Sequence, residues 1–408
     1  MKTPAKQGMS LERLERIAPA IQQHLGDEKI AGAITLLCRR DEVVHFQCHG
    51  LMDRERSLPM RPDAIFRIFS MTKPITVVAL LTLLEKGLIR LNHPASRFLP
   101  AFDDLKVIKI NNDGASNYVE LSRPVTLRDL LTHTSGLFYH YHEHGPVEQI
   151  YRDRKVFSVK PLRRFIDDLL ELPLALQPGT KWRYSAGLDV IARIVEIVSG
   201  ISFGAYLEET IIEPLGMVDT DFFVPENKID RYCAEYGFGD VVDPDMTTTR
   251  WWGDEGRLKP HLIRTPDQGL ESKPHKIHRG GHGLVSTAGD YLRFCRMLLN
   301  GGELEGVQIL GRKTIELMTT NHLTENQLPV ELLGPGWGFG LGVRVLTDLG
   351  QAQILGSPGE HGWGGAAGTY YWIDPKEELI GIYMIQFQPG GYHMSSIDFR
   401  TAAYQAIL

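Results

Sequence analysis

Residues 74–87, Pro-Ile-Thr-Val-Val-Ala-Leu-Leu-Thr-Leu-Leu-Glu-Lys-Gly, are apolar almost all round. A helix without a polar face is stable only when other elements enclose it on every side. This segment must therefore lie at the centre of a domain. Gly87 marks its C-terminal end, and Pro74, tolerable only in a first turn, sets its start near Ser70. At that start stands Ser70-Met71-Thr72-Lys73. Helical positions three apart share a face, so the Lys73 amine is within reach of the Ser70 hydroxyl, and a serine needs such a base to act as a nucleophile. The positive end of the buried helix would also favour an alkoxide there. The bland alternative is a capping serine followed by an exposed lysine. Against it, Ser70 is the only serine in the chain with a lysine three residues later.

Nothing else about the chain conflicts with a catalytic core of this kind. Its 408 residues, 43% hydrophobic and 23% charged, suit one large catalytic unit or two subdomains. A net charge of -6 gives no electrostatic basis for nucleic-acid binding. The run around Ile75 to Leu84 is too short to span a bilayer, so no membrane partner is expected. Residues 1–8 lack the apolar core of a signal peptide. Cys38, Cys48, Cys233 and Cys295 are scattered without CxxC spacing and read as free thiols. Together these features predict a cytoplasmic protein, with a secreted or periplasmic mature form left open. The oligomeric state is not legible.

Both chain ends carry the same pattern. Ser10 can cap a first amphipathic helix bearing Leu11, Leu14, Ile17, Ala18 and Ile21 on one face. Two β-rich runs follow, Ala31 to Cys38 and Val43 to Cys48, joined as a hairpin by residues 39–42. Near the other end, Thr369 to Ile373 and Leu379 to Gln386 form a second hairpin, and a last helix covers about Ile397 to Leu408. Between Pro100 and His275 the pattern is mainly helical, at Val125–Leu131, Leu162–Leu172, Leu188–Val198 and Phe203–Ile212, with surface loop over Val241–His278. The expectation is an α+β fold: an antiparallel sheet formed by both chain ends and flanked by helices, with an inserted, mainly helical subdomain. The boundaries fall at 1–99 and 276–408 for the sheet subdomain and 100–275 for the insertion.

Two further segments carry chemistry. Tyr184 lies in a loop just ahead of a helix starting near Leu188, where its phenol could shuttle protons; a ring packed at a helix entry is the alternative. His361-Gly362-Trp363-Gly364-Gly365-Ala366-Ala367-Gly368 precedes the C-terminal hairpin. Such a run lets backbone N–H groups approach a ligand, and acyl transfer needs two such donors for its oxyanion. It reads equally as a glycine-rich bend into an edge strand.

With these three segments in this order, the chain resembles the serine β-lactamase and penicillin-binding-protein superfamily, and most closely the family VIII carboxylesterases, which share the class C β-lactamase fold. The Ser-x-x-Lys motif maps onto Ser70 and Lys73, Tyr-x-Asn onto Tyr184-Ser185-Ala186, and Lys-Thr-Gly onto Trp363-Gly364-Gly365. The likeness extends through Asp129–Leu137, Glu213–Met217 and Gly281–Thr287. It implies a serine carboxylesterase acting on small-molecule esters without a cofactor. Ser70 would be the nucleophile, with Lys73 and Tyr184 moving protons. The backbone N–H groups of Ser70 and Ala366 would form the oxyanion hole, and Trp363, Gly364, Gly365 and Tyr139 would border the substrate. Ala186 and Trp363 replace the amide and lysine of a β-lactamase, which favours an uncharged ester. An acyltransferase, a β-lactamase or D-amino-acid peptidase, and a catalytically inactive muropeptide-binding module stay open as alternatives.

Two decoys are set aside. Gly200-Ile201-Ser202-Phe203-Gly204 matches the α/β-hydrolase elbow, but that elbow needs a strand before it, and Ile191 to Ser199 read as helix; Ser202 is expected to be a helix cap. His140, His142 and His144 alternate as strand ligands would, but no fourth ligand is evident and no metal is expected.

Overall fold

The computed structural model describes residues 4–26, 29–111, 116–139, 146–239 and 260–408. Its centre is an eight-stranded antiparallel sheet contributed by both ends of the chain. The N-terminal part supplies β1 (Gly32–Arg39), β2 (Glu42–Asp53) and β3 (Leu58–Pro59). The C-terminal part supplies β4 (Trp337–Phe339), β5 (Arg344–Leu346), β6 (His361–Gly364), β7 (Tyr370–Asp374) and β8 (Leu379–Met384). They lie in the order β4-β5-β6-β7-β8-β1-β2-β3. The two ends meet where β1 pairs with β8, Ile34 opposite Met384 and Arg39 opposite Leu379. Both expected hairpins are present, β1–β2 and β7–β8.

Helices cover both faces of the sheet, so every residue of β1 is buried, and its alternation sorts side chains between two cores. Ala33 and Leu37 join Trp372, Tyr383, Phe399 and Ala403 under α1 (Ile17–Gly26) and the C-terminal helix. Ile34, Leu36 and Cys38 face the opposite way, with Ile380, Ile382 and the central helices. The first helix differs from its expected course. It breaks into Leu11–Leu14 and α1, although Ser10 does accept from the Arg13 N–H. The last helix runs over Ser395–Tyr404, ending earlier than its pattern suggested.

The apolar segment after Ser70 is α2 (Thr72–Glu85), with every residue from Thr72 to Leu83 buried. Its neighbours include α3 (Leu127–Leu131), α4 (Leu162–Leu169), α5 (Gly187–Ser199), α6 (Phe203–Leu207) and α7 (Ala288–Leu299). Part of the stretch expected to be surface loop is instead a short strand, His261–Arg264, paired with Glu235–Gly237. It forms because its backbone groups find a partner edge there. Cys38, Cys48, Cys233 and Cys295 are free thiols. No single helix among the described residues is long and apolar enough to cross a membrane.

Candidate active site

Ser70 lies in a 3-10 turn, Phe69–Met71, that runs directly into α2. It caps nothing: the residue at the helix N-cap is Met71. Phe69, just before it, has φ +42, a left-handed conformation costly for a bulky residue. The surroundings hold it there. Gln386 accepts from the Arg67 N–H and donates to the Arg67 C=O, both at 3.0 Å. The Ile68 N–H donates to Leu284 C=O, and the Tyr291 hydroxyl donates to Met71 C=O at 2.9 Å.

Lys73 is 1% exposed. Its Nζ lies 3.1 Å from Ser70 Oγ and 2.7 Å from the Gly281 carbonyl oxygen. The rings of Tyr184 and Tyr139 flank it, 4.6 and 5.4 Å from Nζ to the centroids. Serine and lysine, from the start of one helix, thus meet the tyrosine ring from a second stretch of chain.

Tyr184 stands three residues ahead of α5, as the sequence pattern anticipates. Its carbonyl accepts from the Tyr139 N–H. The Trp363 indole N–H donates to its hydroxyl oxygen at 3.3 Å. His133 backs the ring at a centroid distance of 4.8 Å and shares a 3.0 Å hydrogen bond between Nδ1 and Ser185 Oγ. Burial, with Lys73 nearby, holds the His133 imidazole well below the usual histidine range, so it is a neutral wall at pH 7.

Trp363 and Gly364 end β6, and Gly365 to Thr369 turn back into β7. A Cβ on Gly365 would lie 2.5 Å from Ile68 C=O. Only glycine lets this turn sit against the turn that carries Ser70. The Ala366 carbonyl, next in this turn, is taken by the Gly390 N–H.

A buried ion pair completes the surroundings. Asp189, fully buried in the first turn of α5, accepts at Oδ1 from Arg279 Nε at 2.9 Å and from the Gly281 N–H at 3.1 Å. Burial pushes its carboxyl up, but the Arg279 guanidinium, by charge and hydrogen bond, together with His282 and Lys73 holds it below the usual carboxylate range. Sequence reasoning did not find this pair. Gly281 entered only as part of a landmark run, and no spacing links position 189 to position 279.

Both decoys resolve or fall outside view. Ser202 caps α6, accepting from the Ala205 N–H, and a helix rather than a strand precedes it. His140, His142 and His144 lie outside the described residues. Among the described residues no group of three or more His, Cys, Asp or Glu side chains is placed to hold a metal ion.

Comparison with known proteins identifies the family. A family profile described as Beta-lactamase matches residues 17–405. Esterase EstB of Burkholderia gladioli is 31% identical over 403 residues, covering 95% of this chain and 94% of that protein. Acyltransferase calJ of Penicillium decumbens is 31% identical over 358 residues, covering 82% and 78%. The structure of EstCE1, described as a hydrolase with promiscuous acyltransferase activity, superposes with a TM-score of 0.78 at 26% identity, covering 96% of this chain and 99% of that one. Fold, order of motifs and these likenesses agree: the chain belongs to the Beta-lactamase family.

Proposed function

We propose that the protein is a serine carboxylesterase that hydrolyses short-chain carboxylic esters through an acyl-enzyme on Ser70. The observation that carries the reading is the 3.1 Å approach of a fully buried lysine amine to the Ser70 hydroxyl. In its amine form, Lys73 takes the hydroxyl proton as Ser70 Oγ attacks the ester carbonyl. The backbone N–H groups of Ser70 and Ala366 hold the oxyanion. Tyr184, beside Lys73, passes the proton to the departing alcohol, and a water then attacks the acyl-enzyme with the same groups acting in reverse. The similarity to Esterase EstB supports ester hydrolysis, and that to EstCE1 supports a hydrolase. A second reading, transfer of the acyl group to an alcohol instead of water, is favoured by the likeness to calJ and by the EstCE1 description. Adding an alcohol acceptor and measuring how product divides between acid and new ester separates the two.

Substrate choice follows from charge. Trp363 offers apolar area and one N–H, already directed at Tyr184, and no cation for a carboxylate. A charged contact in a partly desolvated site contributes on the order of 1.5–3 kcal/mol, or about ten- to a hundredfold in relative rate. The expected result is that kcat/KM for p-nitrophenyl butyrate exceeds that for a chromogenic cephalosporin by at least this factor at the same pH. Comparable values, or a cephalosporin preference, would promote the β-lactamase alternative.

A further inference from the structure

We infer that Asp189 is a positioning residue for Lys73, acting through the main chain of Gly281. The inference rests on the reading of Lys73 as the base that serves Ser70.

Lys73 carries a long, rotatable stem, and its amine is useful only if it stays at Ser70. Of its two acceptors, Ser70 Oγ and the Gly281 carbonyl oxygen, the carbonyl is the nearer, at 2.7 Å. Whatever fixes the Gly281 peptide therefore fixes the amine. Thr76, one turn along α2, donates to the preceding carbonyl, Gly280 C=O, at 2.8 Å. Residues 280–281 are thus clasped to α2 by two side chains of that helix.

Their other side is held by one carboxylate. Asp189 Oδ1 accepts the Gly281 N–H at 3.1 Å, and Oδ2 faces the Tyr139 hydroxyl at 3.4 Å. The packing leaves no room for another residue: a Cβ on Gly281 would lie 2.6 Å from Asp189 Oδ2 and 2.7 Å from the Tyr139 hydroxyl. Arg279, only two residues before Gly281, binds the same Oδ1 and packs over the Phe165 ring. Asp189 follows Tyr184 by five residues on the same entry to α5. One carboxylate consequently links the tyrosine segment, Tyr139 and the carbonyl that holds Lys73, so the three catalytic side chains keep one frame.

A buried ion pair is weak evidence for a stabilising role, because apolar residues of similar volume can often replace it at no cost in stability. What an apolar pair cannot do is accept the Gly281 N–H. The test compares two double variants, neither of which leaves an unpaired buried charge. Asp189→Asn with Arg279→Gln keeps an acceptor oxygen at position 189. Asp189→Leu with Arg279→Met removes it. The expected result is that the polar pair retains kcat within about tenfold of wild type. The apolar pair should lose about a hundredfold or more, the scale of a misplaced catalytic group, with KM changed less than threefold. Labelling of Ser70 by an organophosphonate should slow in the same proportion as kcat. Equal kcat in the two pairs, whether high or low, would overturn the inference. A wild-type protein that is not labelled at Ser70 would instead sink the reading of Lys73 and Ser70 themselves.

Discussion

Trp363 bears on Tyr184 in two ways that one substitution separates. Its ring packs at a centroid distance of 5.6 Å from the tyrosine ring, and its N–H donates to the phenol oxygen. Trp363→Phe keeps most of the first and deletes the second. A neutral hydrogen bond contributes about 1 kcal/mol, so kcat should fall roughly fivefold while Tm stays within about 2 °C. Steady-state kinetics on an activated ester, together with a thermal melt, checks this. Unchanged kcat would mean that the donor has no part in the proton path, and a collapse in Tm would mean that the indole mainly fills space.

At the level of elements, the proposed site depends on the β6–β7 turn lying against the Ser70 turn. Gly365→Ala places a methyl 2.4 Å from Thr369 Oγ1 and 2.5 Å from Ile68 C=O, so the two turns must separate. With Ala366 displaced as an oxyanion donor, kcat should drop about a hundredfold in a protein whose far-UV circular dichroism is unchanged. Retained kcat would show that Ala366 N–H does not serve the oxyanion. Much of this arrangement was legible in the sequence. The stretch at 74–87, apolar almost all round, read as a buried helix, and both hairpins announced themselves by β-rich runs around polar turns. Ser70, Lys73 and Tyr184 were readable because spacing and motif order are properties of sequence. The break between Leu14 and Ile17 was not, since periodicity continues across it. Nor was the strand at His261–Arg264, whose only cause is a partner edge at Glu235–Gly237. The Asp189–Arg279 pair and the Gly281 carbonyl lie beyond sequence reading for the same reason: their contacts are set by tertiary packing between segments far apart in the chain.

Over the whole molecule, the histidines predict how stability responds to acid. Burial lowers His49, His282 and His361 to about 4, the last two with help from neighbouring arginines, and burial with Lys73 nearby also holds His133 well below the usual histidine range. Above pH 6.5 these groups are neutral in both the folded and the unfolded chain and cost nothing. Between 6.5 and about 4 only the unfolded chain takes up the protons, so stability falls as pH falls. Tm should decrease by about 5 °C or more between pH 7 and pH 5, measured by calorimetry at constant ionic strength. A flat or rising Tm over that interval would show that these histidines are protonated in the native state.

Ser70 as the nucleophile is tested most directly by where a covalent adduct forms. Brief exposure to an organophosphonate or an activated short-chain ester, followed by intact mass and peptide mapping, should place one adduct on Ser70. Ser70→Ala should abolish both the adduct and the esterase activity, by roughly a thousandfold or more in turnover. Ser202→Ala, which removes only the cap of α6, should leave both nearly intact. An adduct on Ser202, or full labelling and turnover in folded Ser70→Ala, would contradict the account.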